Sequence, residues 1–344
     1  MFDSRETYRK AWNDAYTIDP DVPLNVDIEI ASLCNLTCPM CFIPDPAFDS
    51  FIRTKAADGK PKARIMPTEM AIRIIDQCAD IGVPALKMNW RGESTLHPDY
   101  AHILNYAGAW GKDRRNLPVP PSDWSRGICG RAFHEILVNT NANCPDSAIE
   151  GLVSATKVMV SLDSMVPATY AVMRRGGSLE KAKATIKELI RRKHPNLWIR
   201  RVLTRDNDKE PFAQSVRAEF GESVHISEHY CFDRNVLSHH ERSGCDHDVD
   251  VEGGRTYCGY PSQRIVVAST GLCYPCCIDL HEEMPVGDIT KESLESIWNS
   301  QRMRDLRSEL RSNTFRSKAC QNCESWMSRN SPQRNFVQDV EVKI

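Results

Sequence analysis

Three cysteines near the start of the chain have the spacing of ligands for an iron–sulfur cluster. Cys34, Cys38 and Cys41 follow an apolar, alternating segment, residues 26–30, that predicts a β-strand. A [4Fe–4S] cluster normally takes four Cys ligands, so a loop that supplies three leaves one iron open to another molecule. A zinc knuckle would need a fourth Cys or His close by, and the first His of the chain is His97. The spacing therefore favours a cluster over zinc.

This motif, placed directly after a strand, resembles the cluster loop of the radical S-adenosylmethionine (SAM) enzymes. In that superfamily the amino and carboxylate groups of SAM bind the open iron, and an electron from the cluster cleaves SAM to methionine and a 5′-deoxyadenosyl radical. The radical then removes a hydrogen atom from the substrate. The resemblance implies SAM and a [4Fe–4S] cluster as cofactors. It also implies a flavodoxin- or ferredoxin-type electron donor.

A second motif after the next predicted strand supports the resemblance. Residues 89–94 read NWRGES and resemble the GGEP motif that holds the amino group of SAM, although Arg91 and Ser94 depart from that pattern. Gly92 and Glu93 match it, and a carboxylate at this place can accept hydrogen bonds from an ammonium group. The alternative is an ordinary exposed carboxylate in a loop.

Weaker motifs follow the later strands in the order of the superfamily. Residues 139–142 resemble a TNG-type turn, in which Asn141 can adopt the left-handed backbone that Gly would otherwise supply. Residues 161–164 and Arg174 resemble positions that contact the ribose or carboxylate of SAM, or the substrate. The resemblance thus implies cofactor contacts by Trp90, Gly92, Glu93, Ser94, Asn139, Asn141, Ser161, Asp163 and Arg174.

A second group of cysteines lies late in the chain. Its spacing is Cys258, twelve residues, Gly271, four residues, Cys276, and later a CxxC pair. This pattern resembles the auxiliary-cluster domains called SPASM and twitch, and the absence of any Cys after the pair implies the shorter twitch form. The implied ligands of one auxiliary [4Fe–4S] cluster are Cys258, Cys276, Cys320 and Cys323.

Two alternatives to this ligand set stay open in the sequence. Cys273 and Cys277 are rivals of Cys276 for the second ligand position. The same four thiols would also suit a zinc ribbon.

The rest of the chain predicts alternating strands and helices. About six β/α units lie between residues 25 and 226, which predicts a parallel sheet with helices outside it. The pattern does not separate a partial barrel from an open doubly wound sheet. The resemblance implies an α/β fold, an open (β/α)6 partial TIM barrel followed by a small β-hairpin and helix domain for the auxiliary cluster. We predict the core domain over residues 1–229 and the auxiliary domain over 230–344, with functional groups at the carboxyl ends of strands.

Composition excludes other classes of function. The net charge is only −2, which gives no electrostatic case for binding nucleic acid or an anionic membrane. No apolar segment approaches the roughly 20 residues that a membrane span needs, and the polar start of the chain is not a signal peptide. The fourteen Cys are clustered rather than spread, as expected for metal binding in a reducing compartment. We therefore expect a cytoplasmic protein.

The resemblance also suggests the kind of reaction. Twitch-bearing relatives include cyclitol dehydrogenases of aminoglycoside synthesis, a related group epimerises sugar carbons, and SPASM relatives modify peptides or sulfatases. Peptide modifiers often carry a leader-binding domain before the first cluster, and only 33 residues precede Cys34. We therefore expect a small hydroxylated substrate, such as a sugar, cyclitol or aminoglycoside, in natural-product or carbohydrate biosynthesis. A peptide-modifying enzyme and a non-catalytic iron–sulfur or zinc protein are the alternatives.

Two outcomes remain for such a substrate. In a dehydrogenase, the substrate radical would lose a proton and give an electron to the auxiliary cluster, which leaves a ketone. An epimerase would instead return a hydrogen atom from a thiol on the opposite face, and the candidate donors are Cys231 and Cys245.

Overall fold

The computed structural model describes residues 4–15, 17–44, 64–109, 133–230, 258–321 and 323. Within these ranges the fold is built on one sheet of nine strands, in the spatial order β6-β5-β4-β3-β2-β1-β7-β8-β9. In chain order the strands are β1 Asn25–Ile28, β2 Ala85–Lys87, β3 Glu135–Thr140, β4 Lys157–Ser161, β5 Leu197–Leu203, β6 His225–Tyr230, β7 Arg264–Val267, β8 Leu272–Tyr274 and β9 Gly287–Asp288.

Helices alternate with the strands, as the sequence predicts. Within the described ranges they are α1 Arg5–Asp14, α2 Thr68–Asp80, α3 Tyr100–Ala109, α4 Ile149–Ser154, α5 Pro167–Met173, α6 Leu179–Arg191, α7 Phe212–Phe220, α8 Tyr260–Gln263, α9 Leu294–Trp298, α10 Gln301–Arg311 and α11 Lys318–Gln321. In the part of the chain described here, no helix has both the length and the apolar character needed to cross a membrane.

The order of the strands confirms the predicted fold class. Strands β1 to β6 pair in parallel, each with the next, and the described strands do not close into a full barrel. Strand β7 pairs in parallel with β1, and β8 and β9 then add in antiparallel fashion. The hairpin of the C-terminal cysteine region therefore extends the same sheet. The domain boundary at 229/230 stays a prediction, and residues 231–257 lie outside the described ranges.

One face of the sheet is apolar and packs against the helices. Side chains alternate between the two faces of a strand, so every second residue of the buried strands contributes to this core. Helix α6 is a typical partner, because Ala182, Ile186 and Leu189 on one side of it are fully buried. The fully buried strand residues of this face include Val26, Ile28, Leu86, Val138, Val158 and Ile199.

The opposite face, here called the polar face, carries charged and polar side chains. Residues paired in register on neighbouring strands point to the same face. Asp27 pairs with Lys87, and Arg200 pairs with Ser161 on one side and with Ser227 on the other. A single alternation in the sequence thus yields a core on one side and a polar surface on the other. The polar face comprises Asp27, Lys87, Asn139, Lys157, Ser161, Arg200, Ser227 and His229.

One helix was not predicted from the sequence. Helix α5, Pro167–Met173, has only seven residues and buries only Tyr170 and Met173, so it shows no helical pattern long enough to recognise. Strand β2 ends at Lys87. The residues after Lys87 leave the sheet and form the loop described next.

Candidate functional site

A cavity lies where the first four parallel strands end. Its volume is about 630 Å³, which includes space open to solvent. It is reached by the cysteine loop after β1, the loop after β2, the carboxyl ends of β3 and β4, and Arg174 at the end of α5. The lining residues are Cys34, Leu36, Cys38, Cys41, Phe42, Ile43, Asn89, Trp90, Arg91, Gly92, Glu93, Asn139, Thr140, Asn141, Ser161 and Arg174.

Backbone and side-chain contacts hold the cysteine loop over the barrel. The amide of Thr37 donates to the carbonyl of Arg175 at 2.9 Å, and Asn35 Nδ2 donates to the carbonyl of Asn143 at 2.9 Å. Burial raises the pKa of Cys34 to about 11 and that of Cys41 to about 12. Both thiols are therefore neutral at pH 7 in the metal-free protein, and binding of iron must displace their protons.

The arrangement of the thiols fits an iron–sulfur cluster. Within the described ranges, no three Cys, His, Asp or Glu side chains meet closely enough to share one metal ion. The thiols of Cys34, Cys38 and Cys41 instead line one wider cavity and interact electrostatically with each other. A cluster of several irons spans more space than a single zinc ion, so the donor set favours the cluster.

Glu93 is held rigidly at the edge of this cavity. Its Oε1 accepts hydrogen bonds from Thr95 Oγ1 at 2.7 Å and from Thr140 Oγ1 at 2.8 Å, while Oε2 accepts one from the amide of Asn141 at 2.7 Å. The residue is only 3% exposed, and burial raises its pKa despite these bonds. A carboxylate fixed in this way can accept a further hydrogen bond from an ammonium group in the cavity.

Gly92 allows the loop after β2 to pass directly beneath the cysteine loop. Its backbone is left-handed, with φ of +67°, and a Cβ there would lie 2.6 Å from the carbonyl oxygen of Leu33. The next amide, that of Glu93, donates to the same carbonyl at 2.8 Å. A glycine is therefore needed at this position of the motif for two reasons, the left-handed backbone and the lack of room for a side chain.

The turn after β3 differs from the prediction in one detail. The left-handed residue is Ala142, with φ of +57°, and not Asn141. Asn141 contributes through its side chain instead, since its Nδ2 donates to Asn35 Oδ1 at 2.9 Å and lies 3.8 Å from the sulfur of Cys34. The amide of Asn141 meanwhile binds Glu93. The turn thus connects the cysteine loop to the acidic residue.

Arg174 lines the cavity and is also paired with a carboxylate of the protein. Its Nε lies 2.6 Å from Asp163 Oδ2, and its Nη1 lies 3.7 Å from the sulfur of Cys38. Asp163 itself has a left-handed backbone and accepts a hydrogen bond from the amide of Val202 at 2.7 Å. The guanidinium can therefore stabilise the Cys38 thiolate, and its predicted contact with SAM stays a prediction.

The structure places most of the predicted cofactor residues around one cavity. Asn139 is notable because its Oδ1 is buried there and has no hydrogen-bond partner within the described chain. Such an atom fits a polar ligand. Ser94 and Asp163 do not line the cavity, while the residues that do are Trp90, Gly92, Glu93, Asn139, Asn141, Ser161 and Arg174.

Arg91, which departs from the GGEP motif, forms the centre of a buried ionic group. Its Nε and Nη2 donate to the two carboxylate oxygens of Glu29 at 2.7 and 2.9 Å, and Nη2 also reaches Glu282 at 2.6 Å. It also donates to the carbonyl of Leu280 at 3.2 Å and lies 3.9 Å from the ring of Trp90. Burial alone would lower the pKa of Arg91, but the two carboxylates raise it above its ordinary value. This ionic group was not predicted from the sequence, although the charged Glu29 beside the apolar strand was a signal.

The late cysteines separate into two environments. Cys273 faces the main core, fully buried, where its thiol interacts with that of Cys78. Cys276 and Cys277 are hydrogen-bonded to each other through their thiols, which lowers the pKa of Cys277 to about 6. Cys276 also interacts electrostatically with the sulfurs of Cys258 and Cys323, and Cys277 lies 3.6 Å from Arg264 Nη1.

This separation argues against Cys273 as an auxiliary ligand, while Cys276 and Cys277 stay rivals for that position. Cys320 precedes Cys323 in a tight turn, in which the amide of Cys323 donates to the carbonyl of Cys320 at 3.3 Å. The complete ligand set stays a prediction. The proposed hydrogen donors Cys231 and Cys245 lie outside the described residues.

Two family models match the chain. The model of the radical SAM superfamily matches residues 28–218, and that of the SPASM iron–sulfur cluster-binding domain matches residues 258–324. The second match confirms an auxiliary-cluster domain, while its shorter twitch form stays a prediction. None of the curated proteins matches the chain.

Several solved structures share the fold. BtrN in complex with AdoMet and 2-DOIA is 15% identical, with a TM-score of 0.52 over 89% of this chain and 94% of that chain. SuiB of Streptococcus suis bound to precursor peptide SuiA is 14% identical, with a TM-score of 0.57 over 94% and 74%. The anSMEcpe structure with AdoMet and Cp18Cys peptide is 14% identical, with a TM-score of 0.55 over 89% and 87%.

The steric role of Gly92 can be tested against a matched glycine. Gly221 is also left-handed, with φ of +79°, but a Cβ there meets nothing within 4 Å. Both alanine variants carry the conformational cost of about 1–2 kcal/mol, but only Gly92→Ala must displace the cysteine loop. We expect Gly92→Ala to weaken SAM binding at least tenfold, measured by calorimetry on reconstituted protein, while Gly221→Ala binds normally. Equal SAM affinity in the two variants would contradict the steric argument.

Removing Arg91 from the buried ionic group should cause a large loss of stability. Arg91→Met leaves the carboxylate of Glu29 buried without its partner, which costs about 3–5 kcal/mol in comparable pairs. Adding Glu29→Gln should recover part of that loss. The exposed pair Arg191–Glu188 is the control, because solvent screens this pair and Arg191→Met should leave the free energy of unfolding almost unchanged. Urea unfolding under anaerobic conditions measures each free energy, and a loss below about 1 kcal/mol for Arg91→Met would refute the prediction.

Proposed function

The chain belongs to the radical SAM superfamily, and from this premise we propose that it removes a hydrogen atom from an alcohol carbon of a small hydroxylated substrate. The substrate class is a sugar, cyclitol or aminoglycoside, and oxidation to the ketone is the favoured outcome. The cofactors are SAM, the SAM-binding [4Fe–4S] cluster and auxiliary iron–sulfur. When bound, the first cluster supplies the electron that cleaves SAM and yields the 5′-deoxyadenosyl radical.

The residues around the cavity have distinct roles in this proposal. The thiols of Cys34, Cys38 and Cys41 would hold the first cluster, and the fixed carboxylate of Glu93 would accept hydrogen bonds from the SAM amino group. Apolar side chains, among them that of Trp90, exclude water from the space where the radical forms. The protein thereby positions the reactants rather than performing the bond cleavage itself.

We favour oxidation over epimerisation because residues 277–282, here called the auxiliary segment, contact the wall of the cavity. Trp90, which lines the cavity, donates its indole N–H to the carbonyl of Cys277 at 2.7 Å. Arg91 binds the carbonyl of Leu280 and the carboxylate of Glu282 in the same segment. The auxiliary cysteines therefore belong to a segment that adjoins the cavity, where a cluster would supply an electron acceptor. An alcohol that loses a hydrogen atom needs such an acceptor to become a ketone.

Epimerisation is the second outcome that we retain. It would require a thiol, Cys231 or Cys245, to return a hydrogen atom to the substrate. Among the structures with the same fold, BtrN is in complex with AdoMet and 2-DOIA, whereas SuiB and anSMEcpe hold peptides. At 14–15% identity these likenesses show the fold alone, so peptide modification is the alternative substrate class.

The proposed SAM chemistry is tested by anaerobic reconstitution. We expect about eight irons per wild-type chain and about four in the Cys34→Ala, Cys38→Ala, Cys41→Ala variant. With dithionite, the wild type should produce 5′-deoxyadenosine and the variant should produce none. The control is Cys78→Ala, a buried thiol remote from the cavity, which should retain both iron and cleavage. Cleavage by the triple variant, or wild-type protein that takes up zinc in place of iron, would contradict the proposal.

Oxidation and epimerisation differ in whether they need a thiol and in whether deuterium from the solvent reaches the reacting carbon. Sugars, cyclitols and aminoglycosides are screened for substrate-dependent formation of 5′-deoxyadenosine. With the active compound in D₂O, oxidation should give a ketone without carbon-bound solvent deuterium, and the Cys231→Ser, Cys245→Ser variant should remain active. Deuterium at the reacting carbon of an alcohol product, lost in that variant, would identify an epimerase instead.

A further inference from the structure

We propose that Arg200, Ser227 and His229 on the polar face form an anion-binding subsite that holds a carboxylate or phosphate group of the substrate. The inference rests on the proposed function, because the bound group belongs to the substrate of that enzyme. It adds a property that the cysteine motifs do not indicate, namely the charge of the molecule that is oxidised.

Strand register places these residues beside the cavity. Ser161 lines the cavity and pairs with Arg200 on the next strand, and Arg200 in turn pairs with Ser227. Val202, two residues after Arg200 and on the same face, pairs with His229. Paired residues of neighbouring strands point to the same side of a sheet. The three side chains therefore lie on the face that Ser161 presents to the cavity.

These side chains lack partners in the described part of the chain. Arg200 makes no hydrogen bond or ion pair there, and its Nε is buried. Ser227 Oγ and His229 Nε2 are also buried without a hydrogen-bond partner. Buried polar atoms in folded proteins are almost always satisfied. Three unsatisfied groups on one face, next to a cavity, therefore indicate a ligand.

The adjacent residue Arg201 is paired within the protein through its terminal nitrogens, although its Nε also lacks a hydrogen-bond partner in the described chain. It points to the opposite face, where it binds Glu228 at 2.7 Å and the carbonyl of Asn207 at 2.8 Å. Among the described residues, Arg200 has no such carboxylate. Asp163, which interacts with it electrostatically, is already occupied by Arg174 at 2.6 Å.

Positive side chains surround His229 on this part of the polar face. Burial, together with the charges of Arg200 and Lys157, lowers the pKa of His229 to about 3. Burial also lowers the pKa of Arg200. An anion would relieve both effects, and a guanidinium binds carboxylate or phosphate through two parallel hydrogen bonds. A polycationic aminoglycoside would meet repulsion here, so a sugar or cyclitol with an acidic group fits better.

The carboxylate of SAM is the other source of an anion. Two observations favour the substrate. Arg200, Ser227 and His229 lie on β5 and β6, which are further from the cysteine loop than β4, whereas the SAM carboxylate is expected at the iron. Arg174 already provides a guanidinium among the residues that line the cysteine cavity. The subsite therefore extends the cavity away from the iron.

Inorganic phosphate is the probe for the first experiment. Calorimetry is performed on reconstituted holoenzyme saturated with SAM, at constant ionic strength. We expect phosphate to bind wild type and Arg200→Lys, and to bind Arg200→Gln at least tenfold more weakly. The matched control is Arg302→Gln, since Arg302 is exposed on α10 and should not affect binding. Ser227→Ala, a smaller change, should weaken phosphate binding about threefold. Equal phosphate affinity in wild type and Arg200→Gln would overturn the proposal.

The second measurement separates the substrate from SAM as the source of the anion. In Arg200→Gln, the affinity for SAM and the substrate-free production of 5′-deoxyadenosine should stay within twofold of wild type. A tenfold loss of SAM affinity in that variant would assign Arg200 to the SAM carboxylate and overturn the proposal. Failure of the proposed function is distinguishable, because no sugar or cyclitol would then increase the production of 5′-deoxyadenosine by wild type, whatever its affinity for phosphate.

Discussion

The arrangement of the site depends on the ionic contacts of the buried Arg91 guanidinium. It joins Glu29 after the first strand, its own loop after the second, and Glu282 in the auxiliary segment. A buried charge tolerates few positions of its partners, because each displaced carboxylate would remain desolvated and unpaired. The two cysteine regions are thereby held beside one cavity, although more than 200 residues separate Cys34 from Cys276.

A second constraint is the division of the sheet into an apolar and a polar face. The apolar face supplies the core, so the strands can present charged side chains on the other side without losing stability. On the side of β1, those charges pair with each other, as Arg264 does with Asp27 at 3.2 Å. Towards β5 and β6 they do not, and Arg200 is left without a partner in the described chain. The balance of charge therefore changes along the sheet, from paired near the auxiliary segment to positive beyond β4.

The thiols and the acidic residue of the cavity share one physical property. Burial raises the pKa of Cys34, Cys41 and Glu93, so burial disfavours the charged form of each group. Iron would offset this effect for the thiols by binding the thiolate, and an ammonium group would offset it for the carboxylate. Binding of the cluster and of SAM thus supplies the positive charge that the cavity lacks. Arg174 supplies a part of it beside Cys38.

The sequence by itself determined the cluster loop, because its three ligands lie within eight consecutive residues and their spacing is local. It also determined the α/β class, since the alternation of strands and helices is a local pattern of apolar residues. Only the tertiary structure decided that Ala142 rather than Asn141 is left-handed, and that Cys273 belongs to the core.

The partners of Arg91 and the isolation of Arg200 were likewise decided only by the tertiary structure. Each depends on which residues strand pairing and loop packing bring together from distant parts of the chain. Spacing in one sequence does not encode that information, because the register between strands is set by the whole sheet.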